Sequence, residues 1–165
     1  MIPMELLGVR VELPSNTPIV VLRSTEEEVS RLLPIFIGGT EATAIALAQE
    51  GVKPPRPMTH DLFAEVIDNM EVTMERVVIT ELRERTFFAE MHLRSPAEAR
   101  VQSARPSDAI ALAVRLDVPI FASEEILAEA GYPEEPDPEE QAETMVEEFK
   151  DFIDNVSPED FGETS

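Results

Sequence analysis

Residues 104–113 of this chain read Ala-Arg-Pro-Ser-Asp-Ala-Ile-Ala-Leu-Ala, and the last five recur at 44–48. Each copy follows a hydroxyl residue and an acid, Thr40-Glu41 before the first and Ser107-Asp108 before the second. A Thr or Ser N-cap and an acid in the first turn both stabilise the start of a helix. The sequence therefore predicts two thin, alanine-rich helices that a neighbouring element can approach closely, over about 40–50 and 107–116.

Strand patterns flank these helices. Residues 4–13 end in alternating apolar and polar side chains, and turn residues at 14–18 lead to an apolar run at 19–22, so a hairpin is predicted. Further strands are predicted at 33–38, 72–82, 86–94, 99–104 and 118–122, and further helices at 60–70 and after 123, with Thr59 and Ser123 as N-caps. Hairpin-linked strands with helices between them predict an α+β fold with a mixed, mostly antiparallel sheet and packed helices.

Composition narrows the class of protein. The 165 residues are 43% apolar, enough for a real core, and contain no cysteine, which rules out disulfides and thiolate zinc sites. The N-terminus lacks the features of a signal peptide, and no run approaches the roughly 20 apolar residues of a membrane span. We therefore expect a soluble, cytoplasmic protein with no membrane partner.

Charge divides the chain into two parts. Residues 133–165 contain 13 acidic residues and one basic residue, and so contribute −12 of the net −21. We predict a domain over 1–132 and an acidic tail with one amphipathic helix, about 138–156, that docks on the domain, a second subunit or a protein partner. Because nucleic-acid binding relies on Lys and Arg at phosphates, any such role requires a local basic patch.

Acidic residues at the predicted helix starts are candidate metal ligands. If they converge, their oxygens suit Mg²⁺ or Mn²⁺, which can activate water and offset phosphate charge during phosphodiester hydrolysis. The candidate ligands are Glu41, Asp61, Asp108, Glu124 and Glu125. The alternative for each acid is a favourable interaction with the helix dipole of about 0.3–1 kcal/mol, which requires no active site.

His60, in the first turn of the predicted helix over 60–70, is the candidate general base. The positive end of the helix favours a neutral imidazole, although the adjacent Asp61 opposes that bias. Arg56 and Arg105, each followed by proline, are candidates for holding a phosphate.

The three strands predicted at 72–82, 86–94 and 99–104 form an antiparallel meander, which carries an arginine stripe that could face a phosphate backbone. It consists of Arg76, Arg83, Arg85, Arg94 and Arg100. The alternative is a solvated sheet face on which these side chains pair with acids such as Glu75, Glu81 and Glu90.

Several motifs resemble the bifunctional nuclease family. They include Leu-Pro-Ile-Phe-Ile-Gly at 33–38, Arg-Pro-Met-Thr-His-Asp-Leu at 56–62 and the quoted stretch at 104–113, and they occur in order over about 4–131. The resemblance implies an α-β roll, commonly a homodimer, with activity on DNA and RNA. We expect no organic cofactor. The charged positions that match the family are Glu41, His60, Asp61, Arg76, Arg105, Asp108, Glu124 and Glu125. We assign catalysis to Glu41, His60, Asp61 and Asp108, and substrate binding to Arg56, Arg76 and Arg105.

Two functions therefore stay open. One is a divalent-metal-dependent nuclease that cleaves DNA and RNA with low sequence specificity. The other is a non-enzymatic homodimeric scaffold whose helix-start acids are only caps and whose tail docks on the domain or a partner. The two differ in whether the catalytic candidates and Arg105 share one place in the fold.

Overall fold

The computed structural model describes residues 1–26 and 30–134, and Met1–Pro133 form one compact unit. The strands are β1 (Ile2–Glu12), β2 (Thr17–Ser24), β3 (Arg31–Phe36), β4 (Thr73–Arg83), β5 (Thr86–Arg94), β6 (Ala99–Ala104), β7 (Ile120–Ala122) and β8 (Tyr132–Pro133). The helices are α1 (Gly39–Gln49), α2 (Thr59–Asn69), α3 (Pro106–Leu116) and α4 (Glu124–Ala130). The predicted tail helix over 138–156 lies outside the described residues. Within them, no helix has the length and apolar character needed to cross a bilayer.

All eight of these strands belong to one sheet, in the order β6-β5-β4-β7-β1-β2-β3-β8. Every neighbouring pair is antiparallel except β4 and β7, which run parallel. Short turns let consecutive strands pair directly, which is why the first hairpin and the β4–β6 meander form where the sequence predicts them. The predicted α+β class with a mixed, mostly antiparallel sheet and packed helices is confirmed.

The short strand β7 joins the two halves of the sheet. Ile120 pairs with Met4 of β1 on one side and with Val77 of β4 on the other. A parallel pair cannot be closed by a hairpin, and the segment that contains α3 supplies the necessary crossover. This crossover brings the start of α3 next to elements that lie far away in the sequence.

The two alanine-rich helices pack against each other and against the sheet. Ala109, Ala111 and Ala113 of α3 are almost completely buried, and small side chains at these positions let the helix lie close to its neighbours. The centre of the core is filled by large aliphatic side chains, among them Leu22, Leu33, Ile45, Ile79 and Ile110. Full burial of each contributes about 1.5–3 kcal/mol of stability.

Three of the four predicted N-caps are wrong. Thr40, Thr59 and Ser107 lie inside their helices, and the N-caps are Gly38, Met58 and Arg105. In α3 the cause is Pro106, because proline is well suited to the first helical position and moves the start ahead of Ser107. Ser123 is confirmed as the N-cap of α4, where its hydroxyl accepts a hydrogen bond from the backbone N–H of Ile126 at 3.2 Å.

Candidate active site

Four side chains from three helix starts meet at one place, and we call them the helix-start cluster: Glu41 of α1, His60 of α2, and Arg105 and Asp108 at the start of α3. Nε2 of His60 lies 3.0 Å from Oδ1 of Asp108. Arg105 donates to Asp108 from Nε at 2.7 Å and from Nη2 at 3.1 Å. Nη2 also donates to Oε1 of Glu41 at 2.9 Å. Arg105 thus bridges Glu41 and Asp108, and Asp108 also contacts His60.

Local sequence explains how α1 and α3 present these groups. Because Arg105 is the N-cap and Asp108 lies three residues later, the two side chains face each other across the first turn of α3. At the start of α1, a Cβ atom at Gly38 would collide with Oε2 of Glu41. Gly38 therefore allows the Glu41 carboxylate to fold back over the helix end, a role that the sequence prediction missed.

The charges in the cluster stabilise one another. Burial acts to raise the pKa of Asp108, but hydrogen bonds from Arg105 and His60 outweigh it and hold that pKa below its usual value. The same contacts, first with Asp108 and then with Glu41, raise the pKa of Arg105. Asp108 is therefore an ionised acceptor at neutral pH.

The contact with Asp108 orients the His60 ring. A carboxylate only accepts hydrogen bonds, so we assign a proton to Nε2; in the neutral form of the ring the lone pair is then on Nδ1. No hydrogen bond from the described residues reaches Nδ1. The side chain of His60 is largely buried, with 13% of its surface exposed. A neutral imidazole in this tautomer can accept a proton from water.

Arg105 is fixed and exposed at the same time. Its contacts with the two carboxylates use Nε and Nη2, while 66% of the side chain stays accessible. A guanidinium has five N–H donors, and among the described residues nothing accepts from the two on Nη1. These donors are available to an anionic ligand such as a phosphate.

Asp61 has a different environment from His60, although the two are adjacent in sequence. Its Oδ1 accepts a 2.6 Å hydrogen bond from Nε of Arg115, and its Oδ2 accepts one from the backbone N–H of Met58 at 2.9 Å. The hydrogen bond from Arg115 is the main reason that the pKa of Asp61 is lowered. The Asp61–Arg115 pair connects α2 to α3, and through α2 it supports His60.

The sequence prediction missed Arg115. Its side chain is only 10% exposed, and Nη1 donates to the carbonyl of Ala111 at 2.8 Å. A basic residue in the last turn of a helix is normally explained by the helix dipole. Because 54 residues separate it from Asp61, spacing along the sequence gives no signal of this pair.

Other predicted site residues lie outside the cluster. Arg56 is exposed before α2 and forms no ion pair with the described residues. Arg76 contacts Nδ1 of His92 across β4 and β5 at 3.1 Å. Glu124 pairs with the N-terminal amine at 3.3 Å, and Glu125 is exposed on α4.

Most arginines of the stripe pair with acidic side chains, as expected for the alternative of a solvated sheet face. Arg83 pairs with Glu81, Arg94 with Glu75 and Arg100 with Glu98. These pairs are exposed and are typical of a solvated sheet face, where each contributes little to stability. Arg85 differs from them, because it forms no ion pair with the described residues.

The five predicted metal ligands are not gathered into one set. The carboxylates of Glu41 and Asp108 share the Arg105 guanidinium, while Asp61 and Glu124 have other cationic partners. Among residues 1–26 and 30–134, no three His, Asp or Glu side chains are grouped closely enough to hold a metal ion. The residues present do not fit a divalent-cation site in this arrangement.

Two cavities lie near these residues. One, of about 560 Å³, borders Asp61 and Arg115, whose charged groups already bind each other. The other, of about 370 Å³, borders Arg105 and reaches the β4–β5 turn; we call it the Arg85–Arg105 cavity. Of the helix-start cluster, only Arg105, the side chain with unoccupied donors, lines the smaller cavity.

The sequence of this chain is similar to those of known proteins. The model of the bifunctional nuclease domain matches residues 20–135, a segment that includes the whole helix-start cluster. Uncharacterized protein Rv1829 of Mycobacterium tuberculosis (strain ATCC 25618 / H37Rv) is 45% identical over 163 residues, 96% of each chain. That similarity therefore extends into the acidic tail.

Plant proteins match a shorter part of the chain. Bifunctional nuclease 1 of Arabidopsis thaliana is 30% identical over 106 residues, and Bifunctional nuclease 2 of Oryza sativa subsp. japonica is 33% identical over 106 residues. Each match covers 62% of this chain and 32% of the plant protein. The similarity to the plant proteins is thus confined to one third of their length.

Proposed function

This chain belongs to the bifunctional nuclease domain family, and on that premise we propose that it hydrolyses phosphodiester bonds of DNA and RNA at the helix-start cluster. One observation carries the proposal: an imidazole oriented by Asp108 lies beside an exposed guanidinium with two unoccupied donors. Contacts to phosphate carry no sequence information, which is consistent with low sequence specificity.

In the proposed reaction His60 is the general base. Its Nδ1 accepts a proton from the water whose oxygen attacks phosphorus, and the ester P–O bond breaks as the new P–O bond forms. The leaving oxygen takes a proton from solvent. Nη1 of Arg105 binds the non-bridging oxygens, where negative charge develops. Asp108 and Glu41 are positioning residues that hold the imidazole and the guanidinium.

Dependence on Mg²⁺ or Mn²⁺ stays a prediction from the sequence. The carboxylates of the cluster bind Arg105, so the proposed reaction assigns them no role as metal ligands. Assays in Mg²⁺, in Mn²⁺ and in EDTA address this separately. Activity that persists in EDTA would support catalysis by His60 and Arg105 alone, whereas its loss would require the carboxylates to rearrange around an ion.

Replacement of Arg105 by alanine tests the proposal. We expect cleavage of labelled single-stranded DNA and RNA to fall by roughly 10²–10³-fold, the usual effect of removing a donor to the transition state. Arg105→Lys should recover only part of the rate, because an ammonium lacks the forked donors. Arg10→Ala removes an exposed arginine of β1 and serves as the control. No cleavage by the purified wild-type chain would reject the proposal.

A second candidate function, an interaction protein, is favoured by α2. This helix buries Ile67, but the helix and its C-cap expose a row of large apolar side chains: Leu62, Phe63, Val66 and the C-cap Met70. Such faces commonly mark protein interfaces. The proposed occupant of this face is a second copy of the chain, which would give a homodimer of the kind that the family resemblance implies. The acidic tail is proposed as a further contact for a protein partner.

Sedimentation analysis tests the α2 face. We expect the wild-type chain to sediment as a dimer and Phe63→Asp, which puts a charge into the proposed interface, to sediment as a monomer. Val11→Asp changes an apolar residue of β1 that is 54% exposed and is the matched control. A monomeric wild type would exclude this interface, and deletion of residues 133–165 would separate any contribution of the tail.

A further inference from the structure

The Arg85–Arg105 cavity brings a second arginine and aromatic rings next to the helix-start cluster. Its wall is formed by the end of β3, the turn between β4 and β5, and the start of α3. The residues that matter here are Phe36, Arg85, Phe87 and Arg105. Its volume of about 370 Å³ falls in the size range of small-molecule sites, about 300–1,000 Å³.

Phe36 presents an aromatic ring to this concave surface. Its side chain is 57% exposed, whereas Ile35, the preceding residue of β3, is 2% exposed. A single exposed apolar residue on a convex surface needs no explanation. An exposed ring in a cavity that also contains two guanidinium groups is a suitable platform for a planar base.

Arg85 occupies an unfavourable backbone position. Glu84 and Arg85 form the two-residue β4–β5 turn and have φ values of 49° and 64°. Asn-Gly or Asp-Gly is preferred in such turns, because a side chain at positive φ meets steric resistance. Glycine would suit this backbone better, so Arg85→Gly removes the side chain without straining the turn.

Arg85 also lacks the partners that neighbouring arginines have. Arg83, in the same hairpin, pairs with Glu81 and lies over the ring of Phe88, 4.8 Å from its centroid. Arg85 is exposed, borders the cavity and forms no ion pair with the described residues. Together with Nη1 of Arg105, it gives the cavity two cationic donors at separate points of its wall.

We infer that this cavity is a nucleotide subsite, in which Phe36 stacks on an unpaired base and Arg85 binds a phosphate next to the one held by Arg105. The inference rests on the proposed function and identifies which part of the substrate lies beside the cleaved bond. A free phosphate would use only the arginines. A nucleotide strand with exposed bases also uses the ring, and it supplies two phosphates at neighbouring positions.

Binding assays in the His60→Ala background separate stacking from charge. The probes are a fluorescein-labelled thymidine octamer and an abasic octamer with the same phosphates, measured by anisotropy in EDTA. We expect Phe36→Ala to weaken binding of the thymidine octamer roughly tenfold, as loss of one stacked base does, and to leave the abasic octamer unaffected. Tyr132→Ala, which removes another exposed aromatic side chain, is the control.

Arg85→Gly tests the phosphate contact without damage to the turn. We expect it to weaken both probes and to lower the slope of log affinity against log salt by about one, while the unfolding midpoint does not fall. Arg83→Ala removes the same charge from the same hairpin, and we expect it to leave the salt slope unchanged. Equal effects of the two variants would mean that only overall charge matters, and would overturn the subsite.

The results also distinguish this inference from the proposed function. Binding that depends on Phe36 and Arg85 without any hydrolysis by wild type would keep the subsite and reject the nuclease. Hydrolysis by wild type with kcat/KM unchanged in Phe36→Ala and Arg85→Gly would keep the nuclease and reject the subsite. Failure of the octamers to bind at all would also reject it.

Discussion

Replacement of His60 by alanine is expected to reduce phosphodiester hydrolysis by roughly 10²–10⁴-fold, the usual contribution of a general base. Nδ1 of the imidazole accepts no hydrogen bond from the described residues, whereas the carboxylates of Asp108 and Glu41 accept hydrogen bonds from Arg105. Initial rates on labelled single-stranded DNA and RNA, measured with a thermal unfolding curve for each protein, test this expectation.

The chain offers a matched control for this variant, since it contains only two histidines. His92 lies on β5, where it contacts Arg76 and is part of the sheet rather than the cluster. His92→Ala should therefore retain wild-type cleavage. Equal rates in wild type and His60→Ala would remove His60 from the mechanism, whatever the activity of the protein.

Replacement of Arg115 by alanine is expected to lower the free energy of unfolding by about 1.5–3 kcal/mol, because it leaves a partly buried carboxylate without the cation that it binds. Asp61 and Arg115 are 24% and 10% exposed, so solvent screens their contact only in part. Cleavage should fall as well, since α2 carries His60 one residue before Asp61. Urea unfolding of Arg115→Ala, Asp61→Asn and the double variant gives the coupling energy, which would be near zero if the pair were unimportant.

The effect of Arg115→Ala on the free energy of unfolding is expected to depend on pH. The pKa of Asp61 is lower in the folded chain than its ordinary value near 4. The contribution of the pair is therefore complete above about pH 4 and is lost as the pH falls through the lower folded-state pKa. We expect the difference in unfolding free energy between wild type and Arg115→Ala to be large at pH 7 and to shrink in acid. A difference that is constant with pH would contradict the ion pair.

Local patterns in the sequence were sufficient for most of the secondary structure. The hairpin, the meander and the alanine-rich helices were predicted because period-2 alternation, turn residues and helix-start acids act over a few neighbouring residues. The three wrong N-caps come from the preference for Ser and Thr at the cap, and in α3 the reason is also local, because Pro106 moves the helix start ahead of Ser107.

The candidate site depended on contacts that no local pattern contains. The sequence by itself determined that Glu41, His60 and Asp108 lie in the first turns of helices. Only the tertiary structure decided that Arg105 connects Glu41 to Asp108, that Asp108 orients His60, and that Asp61 binds Arg115 instead. The physical reason is that insertion of β7 between β4 and β1 sets the position of α3, and residues up to 64 apart meet because the core packs there.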